Sequence, residues 1–458
     1  MNKLACCLIL GSLASSAYAQ GRYGSPAVVY EGARLITGGG ATPIERGTFV
    51  VQNGHIVAIG LQNAVAAPAG ATHVNLAGKT VMPAMINAHV HIGYEGYTTW
   101  RAENYTAQNV LDHLQREAFY GTAATQSVGT SPIEGALQFQ RDQAAGKFPA
   151  ASQFFFMPGY APPNGGPDQV LRVVTTALHV INEVSTAAEA RASVQMMASK
   201  GINSVKIWVD DRGGTYPKMT PEVYNAIIGE AHMHGMTVHA HATTLPDQKA
   251  VVRAGADVLV HMVQNTKLDD EYLALVRQKK PYWATVLTLG DRAAVCDPDP
   301  FFEQALPRSV IEKIRATTER RPLTANCAPN PAGREEIMAY NFPRMIEAGA
   351  RIVLGTDTGV EPGHTFGSGE HVEMARWVQL GLTPMQAIVA ATQRPAELMG
   401  LKDMGTLAVG KRANFIVLDA NPLDDIHNTR KIADVYFDGA KFDRDGLRQR
   451  WQKAYQSQ

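Results

Sequence analysis

The middle of the chain alternates short apolar runs of strand character with helical stretches, and this pattern restricts the fold more than any other feature. The predicted strands are Met85–His91, Thr125–Gly129, Gln153–Pro158, Ser204–Val209, Thr237–Ala242, Val258–Val263, Trp283–Leu289 and Arg351–Asp357. The helices between them include Pro221–Gly235, with Thr220 as N-cap, Asp247–Ala254 before Gly255, and Pro384–Met399. Eight strands that alternate with helices predict an α/β fold, a (β/α)8 TIM barrel.

Both ends of the chain have a different, β-rich character. Residues 27–80 contain short strands, two of which flank Asn53-Gly54, a strong hairpin signal. Strands with turns return in Gly405–Asp419 and Ile432–Phe442. We therefore predict a small β-sandwich domain made from residues 20–82 and 402–445, with a barrel domain of residues 83–401 inserted between them.

The first residues have the features of an export signal. Lys3 is followed by the eleven-residue apolar run Leu4–Ala14, too short to span a bilayer, and Ala17-Tyr18-Ala19 is an A-x-A cleavage site. The pattern predicts a signal peptide of residues 1–19 and an exported protein, periplasmic or secreted. The alternative is a partly buried N-terminal helix. No other stretch reaches membrane-spanning length, so no membrane association is expected after signal removal.

Charge and cysteine content restrict the partners. The 42 basic and 42 acidic residues give a formal net charge of zero, which argues against nucleic acid or an anionic membrane as a partner. A small-molecule substrate is expected, and a homo-oligomer stays open. In an exported protein, Cys296 and Cys327 can form one disulfide or remain two buried thiols.

Polar side chains with metal-binding or charged groups interrupt the apolar strands of the predicted barrel. They are His89 and His91 in strand one, Lys206 in strand four, His239 and His241 in strand five, His261 in strand six and Asp357 in strand eight. Taken singly, each has an ordinary explanation as a hydrogen-bonded core histidine, an ion-paired lysine or a turn aspartate. Active sites of such barrels lie at the C-terminal ends of the strands, and imidazoles and carboxylates are zinc ligands. One shared metal site explains why all of these groups are tolerated.

Longer motifs lie at both ends of the barrel. The opening is G-K-T-V-M-P-A-M-I-N-A-H-V-H, and the close is G-L-T-P-M-Q-A-I-V-A-A-T-Q-R-P-A-E-L-M-G-L followed by G-T-L-A-V-G-K-R-A-N-F-I-V-L-D. These motifs resemble the amidohydrolase superfamily of binuclear metal hydrolases, in particular its imidazolonepropionase- and prolidase-like members. The resemblance extends from Ala27 to Phe442. It departs at Ala84 and Asn87, where glycine and aspartate are commoner.

The resemblance implies roles for the strand-end residues. His89, His91 and Asp357 would hold the more buried of two divalent ions, and His241 and His261 the more exposed one. Lys206 would react with carbon dioxide to give N6-carboxylysine, whose carbamate bridges both ions. Zinc is the default metal, while manganese, cobalt and iron also suit the ligands. Asp357 would take a proton from the hydroxide that bridges the ions and deliver it to the leaving group.

Four further residues are candidates for supporting or substrate-binding roles. His241 lies nearer the C-terminal end of strand five than His239, so His239 is expected deeper or behind the metal ligands. Arg212 either binds a substrate carboxylate or pairs with a neighbouring aspartate. Tyr94 and Trp100 either line the substrate pocket or pack locally.

The function that follows is metal-dependent hydrolysis of a C–N bond, amide or peptide-like, in a small substrate such as a dipeptide or N-acyl amino acid. Two alternatives stay open. The same site could act as a lactonase or as a carbamate or phosphoester hydrolase, because an activated water attacks any of these bonds. The third reading is a non-catalytic metal- or solute-binding barrel.

Overall fold

The computed structural model describes residues 26–96, 99–288, 299–320, 332–360 and 366–454. The predicted signal peptide and both Cys296 and Cys327 lie outside these ranges, so cleavage, export and the disulfide stay predictions.

The described strands and helices alternate through the middle of the chain. The strands are β1 (Val28–Leu35), β2 (Ile44–Gln52), β3 (His55–Leu61), β4 (Thr72–Asn75), β5 (Thr80–Pro83), β6 (Met85–Val90), β7 (Thr122–Gly129), β8 (Gln153–Ala161), β9 (Ile181–Glu183), β10 (Ser204–Trp208), β11 (Thr237–His241), β12 (Val258–Val260), β13 (Tyr282–Ala284), β14 (Arg351–Val353), β15 (Phe415–Leu418), β16 (Ile432–Phe437) and β17 (Ala440–Lys441). The helices are α1 (Ala107–Phe119), α2 (Ile133–Ala144), α3 (Gln169–Ala177), α4 (Ala187–Ser199), α5 (Pro221–Met233), α6 (Leu245–Ala254), α7 (Asp270–Lys279), α8 (Pro300–Glu303), α9 (Arg308–Arg320), α10 (Ala332–Glu347), α11 (Gly369–Gln379), α12 (Pro384–Ala391), α13 (Gln393–Leu398) and α14 (Arg444–Lys453).

A parallel barrel is formed by β6, β7, β8, β10, β11, β12, β13 and β14, in that order. It closes because the chain after β14 runs beside β6. The amide of Ala88 donates to the carbonyl of Leu354 at 2.9 Å, and the amide of His91 donates to the carbonyl of Thr358 at 2.7 Å. Among the described residues these eight strands match the eight that the sequence predicts, so the (β/α)8 fold is confirmed.

The barrel strands are buried on both faces, as their nearly continuous apolar sequences require. All six residues of β6 and all five of β10 are buried. Polar side chains in such strands meet either the barrel interior or the helices that cover its outer face, as Asn87 of β6 meets Glu370 of α11. The inward-facing polar groups of different strands come together inside the barrel.

Both chain ends join in a second sheet, with the strand order β17-β16-β15-β5-β1-β2-β3 and β4 beside β1. An aromatic cluster holds the two ends together. The ring centroid of Phe415 lies 5.1 Å from that of Tyr30 and 5.1 Å from that of Phe49, and the ring centroids of Tyr30 and Tyr436 lie 5.4 Å apart. A small β domain made from both ends is thus confirmed, while the boundaries at residues 82 and 402 stay predictions.

The observed helix ends agree with the sequence prediction at the start of α5 and differ from it in the predicted helix Pro384–Met399. Thr220 caps α5 by accepting from the amide of Val223, as predicted. The predicted helix Pro384–Met399 is two helices, α12 and α13, with Thr392 between them in a non-helical conformation. Pro395 explains the break, because its ring cannot tolerate the helical carbonyl of Ala391, four residues earlier.

Within the part of the chain that is described, no helix has both the length and the apolar character that a bilayer crossing requires.

Candidate metal centre

The six predicted ligands lie in barrel strands or in the segments that directly follow them, with Lys206 at the middle of β10. His89 lies near the end of β6, His91 directly follows it, and His241 ends β11. Five of the six are nearly inaccessible to solvent, at 5% exposure or less: His89, His91, Lys206, His241 and Asp357. The sixth, His261, follows β12 and is only slightly more exposed.

Asp357 lies between the two histidines of strand one. Its Oδ1 is 2.8 Å from His91 Nε2 and 3.0 Å from His89 Nε2. The His89 contact lacks hydrogen-bond alignment, and His89 Nδ1 has no partner among the described residues. Each residue offers a ligand atom within 4.8 Å of the other two. Two imidazole nitrogens and a carboxylate oxygen that converge inside a buried pocket fit a divalent ion.

Asp357 reaches this position because its backbone lies directly against the backbone of His89. Asp357 has a left-handed backbone, with φ of 58°, and its amide donates to the carbonyl of His89 at 2.9 Å. A Cβ atom on Gly355 would lie 2.7 Å from His89 Cβ, and one on Gly359 would overlap the carbonyl of His91. The segment G-T-D-T-G therefore needs both glycines to lie against β6.

His241 and His261 form a second pair of converging nitrogens. His261 Nε2 lies 2.7 Å from His241 Nδ1, and it is 3.9 Å from Asp357 Oδ2. The other nitrogen of His241, Nε2, lies 2.9 Å from Asp210 Oδ2. Asp357 thus lies between the two histidine pairs, with Oδ1 facing His89 and His91 and Oδ2 facing His261.

Burial lowers the pKa of His89, His241 and His261, and so favours the neutral imidazole that a metal ligand needs. Burial is the main cause that lowers the pKa of His89 to about 3, and the charge of Lys206 adds to it. For His241, burial and the charge of Arg212 lower the pKa to about 3. Burial would raise the pKa of Asp357, but His89 and His91 hold it well below its usual value, so the carboxylate is ionised.

Lys206 is fully buried on β10. Its Nζ lies 5.6 Å from the centroid of the Trp208 ring, and its stem packs where Gly129 leaves room at the end of β7. No hydrogen bond or ion pair of its ammonium group is found among the described residues. Burial lowers the pKa of Lys206 to about 7, against an opposing effect of the Asp357 charge.

His239 lies one strand layer deeper than His241. It pairs in register with Lys206 and lines a cavity of about 180 Å³ at the other end of the barrel, together with Gln126 and Ser204. Within the described chain its Nδ1 has no hydrogen-bond partner. The structure therefore places His239 away from the His241–His261 pair.

The three candidate substrate-contacting residues differ in how tightly they are held. Tyr94 is fully buried, donates its hydroxyl to the carbonyl of Thr130, and has its ring centroid 6.2 Å from that of Trp100. Arg212 is partly exposed, and its Nη1 lies 3.1 Å from Asp210 Oδ2. Tyr94 and Trp100 therefore pack against each other, and Arg212 pairs with the neighbouring aspartate.

Three supporting residues were missed at the sequence level. Thr130 Oγ1 lies 2.8 Å from His91 Nδ1, Asp210 contacts His241, and Asn87 Oδ1 accepts from the amide of His89 at 3.1 Å. Asn87 carried a signal, because it departs from the commoner aspartate of the motif. Asp210 carried a weaker one as an acidic residue directly after a barrel strand, and Thr130 carried none.

Comparison with known proteins identifies the family. The profile of the amidohydrolase family matches residues 80–442. The chain belongs to the amidohydrolase family. The match extends from the last strand before the barrel to the end of the second sheet, so it includes every residue of the candidate amidohydrolase centre.

Individual relatives are more distant. Imidazolonepropionase of Deinococcus deserti is 39% identical over 87 residues, 19% of this chain and 21% of that protein. Ochratoxinase of Aspergillus niger is 25% identical over 272 residues, 57% of this chain and 50% of that protein. The match thus spans about a fifth of the imidazolonepropionase and half of the ochratoxinase. A crystal structure of a Xaa-Pro dipeptidase with methionine in its active site has a TM-score of 0.70 at 23% identity, covering 91% of this chain and 99% of that one. This likeness shows that the two chains share a fold.

Proposed function

We propose that the chain is a metal-dependent amidohydrolase that cleaves the C–N bond of a small amide, such as a dipeptide or an N-acyl amino acid. The observation that carries the proposal is the position of Asp357, whose Oδ1 faces His89 and His91 while its Oδ2 faces His261. Membership of the amidohydrolase family supports it. So do the names of the relatives, which include a dipeptidase and an ochratoxinase.

The donor set suits two divalent ions, zinc most of all. His89, His91 and Asp357 would hold one ion, and His241 and His261 the other. When bound, such ions would lower the pKa of a water molecule and polarise the substrate carbonyl. The protein contributes fixed ligands in a buried pocket, where electrostatic effects are stronger than in water.

Lys206 is proposed to carry a carboxyl group. An unmodified ammonium cannot bind a metal, and a buried charge without an anionic partner is costly. Addition of carbon dioxide to the neutral amine forms a carbamate and releases one proton. The modified side chain is an anion with two oxygens, which would serve both ions and remove the unpaired cation.

Asp357 is proposed to move the proton. Its carboxylate is ionised and held from two sides, so it can accept a proton from the attacking water and pass it to the leaving nitrogen. Oδ2 is the oxygen for this transfer, because Oδ1 faces both strand-one histidines.

Arg212 is proposed to bind a substrate carboxylate. One end of its guanidinium group is fixed by Asp210, whereas its Nε meets no acceptor among the described residues. Its charge lowers the pKa of His241, which is consistent with a position near the centre. A dipeptide or N-acyl amino acid carries a carboxylate that Arg212 can bind.

A substrate panel tests the proposed function. Purified protein loaded with zinc is assayed against dipeptides, N-acyl amino acids, lactones and phosphoesters, with zinc content measured in parallel. We expect hydrolysis of a carboxylate-bearing amide. Activity confined to lactones or phosphoesters would show that the enzyme cleaves an ester bond and not the proposed C–N bond. A zinc-loaded protein that hydrolyses no member of the panel would favour a non-catalytic binding protein.

A further inference from the structure

The carboxylate of Asp210 contacts the proposed metal ligand His241 and two further residues, Thr243 and Arg212. The residue directly follows β10, and its side chain is 5% exposed. Its Oδ2 accepts from His241 Nε2 at 2.9 Å and from Thr243 Oγ1 at 3.0 Å. Its Oδ1 accepts from the amide of Arg212 at 2.8 Å, and Arg212 Nη1 lies 3.1 Å from Oδ2. A carboxylate this deeply buried is stable because each oxygen is hydrogen-bonded.

This arrangement determines which nitrogen of His241 is available. A neutral imidazole has one N–H group, and an ionised carboxylate only accepts hydrogen bonds. The proton of His241 therefore lies on Nε2, toward Asp210. Nδ1 is left with its lone pair, and it is the atom that faces His261 Nε2 at 2.7 Å. A carboxylate behind a ligating histidine fixes the ring orientation and raises the basicity of the ligand nitrogen.

We propose that Asp210 is the positioning residue of the second metal site: it holds Nε2–H of His241, directs Nδ1 toward the ion shared with His261, and anchors Arg212 beside that ion. The inference rests on the proposed metal-dependent function and adds to it a residue with no ligand role of its own. It also links substrate binding to the metal, because one carboxylate holds both His241 and Arg212.

The neighbouring Asp211 provides a matched control. Its side chain is 34% exposed, and it accepts from the amide of Gly213 and lies 3.4 Å from Lys218 Nζ. The two substitutions Asp210→Asn and Asp211→Asn remove the same charge one residue apart. Only the first alters a contact of a proposed metal ligand.

Asparagine at position 210 cannot accept a hydrogen bond from both His241 and the amide of Arg212 at the two ends of its side chain. If its NH2 group faces His241, it donates to Nε2 and moves the imidazole proton to Nδ1, where it blocks metal binding. If its oxygen faces His241, the NH2 group opposes the amide N–H of Arg212. Either orientation weakens the second site, while His89, His91 and Asp357 keep their own contacts.

The test measures zinc binding to the purified protein without substrate, by competition with a chelator. We expect two zinc ions in the wild type, and in Asp210→Asn a second ion bound about 10- to 100-fold more weakly with the first ion unchanged. Asp211→Asn should match the wild type. Cobalt in place of zinc gives a second readout, because the visible absorption of the second cobalt ion should be lost in Asp210→Asn alone.

Two results would overturn the proposal. One is wild-type affinity for both ions in Asp210→Asn, and the other is equal weakening of both ions in a folded variant. If Asp210→Asn does not fold, the Thr243→Val variant is tested in its place. It removes one hydrogen-bond donor to Asp210 Oδ2 and should lower the affinity for the second ion but not for the first. A wild type that binds two ions but hydrolyses no panel substrate would refute the proposed function and leave this test valid. A wild type that binds only one ion would refute the positioning role.

Discussion

Asp357 Oδ1 lies 2.8 Å from His91 Nε2, although 266 positions separate the two residues in the chain. The contact exists because the segment after β14 closes the barrel against β6, and the amides of Thr356 and Asp357 both donate to the carbonyl of His89. The first group of proposed ligands therefore lies where the two strands that close the barrel end. An ion bound by His89, His91 and Asp357 would hold the first and last strands together.

Metal removal should accordingly destabilise the whole barrel. An ion that binds only the folded state at a free concentration 100 times its Kd contributes about 2.7 kcal/mol to the free energy of unfolding. We expect a chelator to lower Tm and abolish hydrolysis, and added zinc to restore both. The His91→Ala variant is the control, because its Tm should respond less to the chelator. An identical response in both proteins would show that the ion binds elsewhere.

Asp357→Asn should separate metal binding from chemistry. The amide keeps an oxygen at the ligand position but cannot accept the proton of the attacking water. We expect the variant to retain most of its zinc and to lose about 10²–10⁴ in kcat, the usual contribution of a general acid–base group. Zinc content and kcat are measured on the same sample, with Asp211→Asn as control. Wild-type turnover in a zinc-loaded Asp357→Asn protein would eliminate the proton-transfer role.

The proposed carbamate at Lys206 can be observed directly. Wild-type protein equilibrated with ¹³C-bicarbonate and zinc should show a carbamate carbonyl signal by ¹³C NMR. The Lys206→Met variant should lack that signal and bind the second ion weakly, since methionine fills the buried space but supplies no anion. Absence of the signal in active, zinc-loaded wild type would leave Lys206 as an unmodified amine.

The sequence identifies the candidate ligands because each is a polar residue within or directly after an apolar strand, and barrel topology brings strand ends together. The break at Thr392 was missed because the apolar pattern continues through Pro395. Asp210 was considered only as a partner of Arg212. Its contact with His241 depends on how two adjacent parallel strands end, since Trp208 pairs in register with His241 and leaves Asp210 just beyond it. Periodicity along one strand contains no information on such a contact.

Glu117 gives a prediction for the pH dependence of stability. It is fully buried on α1 beside Glu370 of α11, and burial and the Glu370 charge raise its pKa well above the usual value. A carboxyl with a raised pKa in the folded state makes stability fall as the pH rises from its unfolded pKa toward its folded one. We therefore expect Glu117→Gln, which imitates the protonated acid, to gain stability over the wild type at pH 8 but not at pH 4.

Urea unfolding at both pH values measures this difference. Glu134→Gln is the control, because Glu134 is exposed and its ion pair with Lys200 lies on the surface. A difference between Glu117→Gln and the wild type that does not change with pH would mean that the pKa of Glu117 is the same in the folded and the unfolded protein.

Asn87 is the departure from the family motif that the structure explains. Its Nδ2 donates to Glu370 Oε1 at 2.7 Å and to Thr356 Oγ1 at 3.0 Å, and its Oδ1 holds the amide of His89. Aspartate here would lose both donated bonds and place a further carboxylate against Glu370, beside which Glu117 already lies. We expect Asn87→Asp to lower the free energy of unfolding by about 1–3 kcal/mol, the cost of leaving a buried group unsatisfied.

The exposed Asn75 supplies the control, because its Oδ1 accepts from the amide of Ala77 and aspartate keeps that bond. Both variants are unfolded with urea in the presence of chelator, so that altered metal binding does not enter the comparison. The double variant Asn87→Asp with Glu370→Gln should recover much of the lost stability, because glutamine can donate to the new carboxylate. If the double variant is no more stable than Asn87→Asp, the loss arises at Thr356 or His89 instead of from the two facing carboxylates.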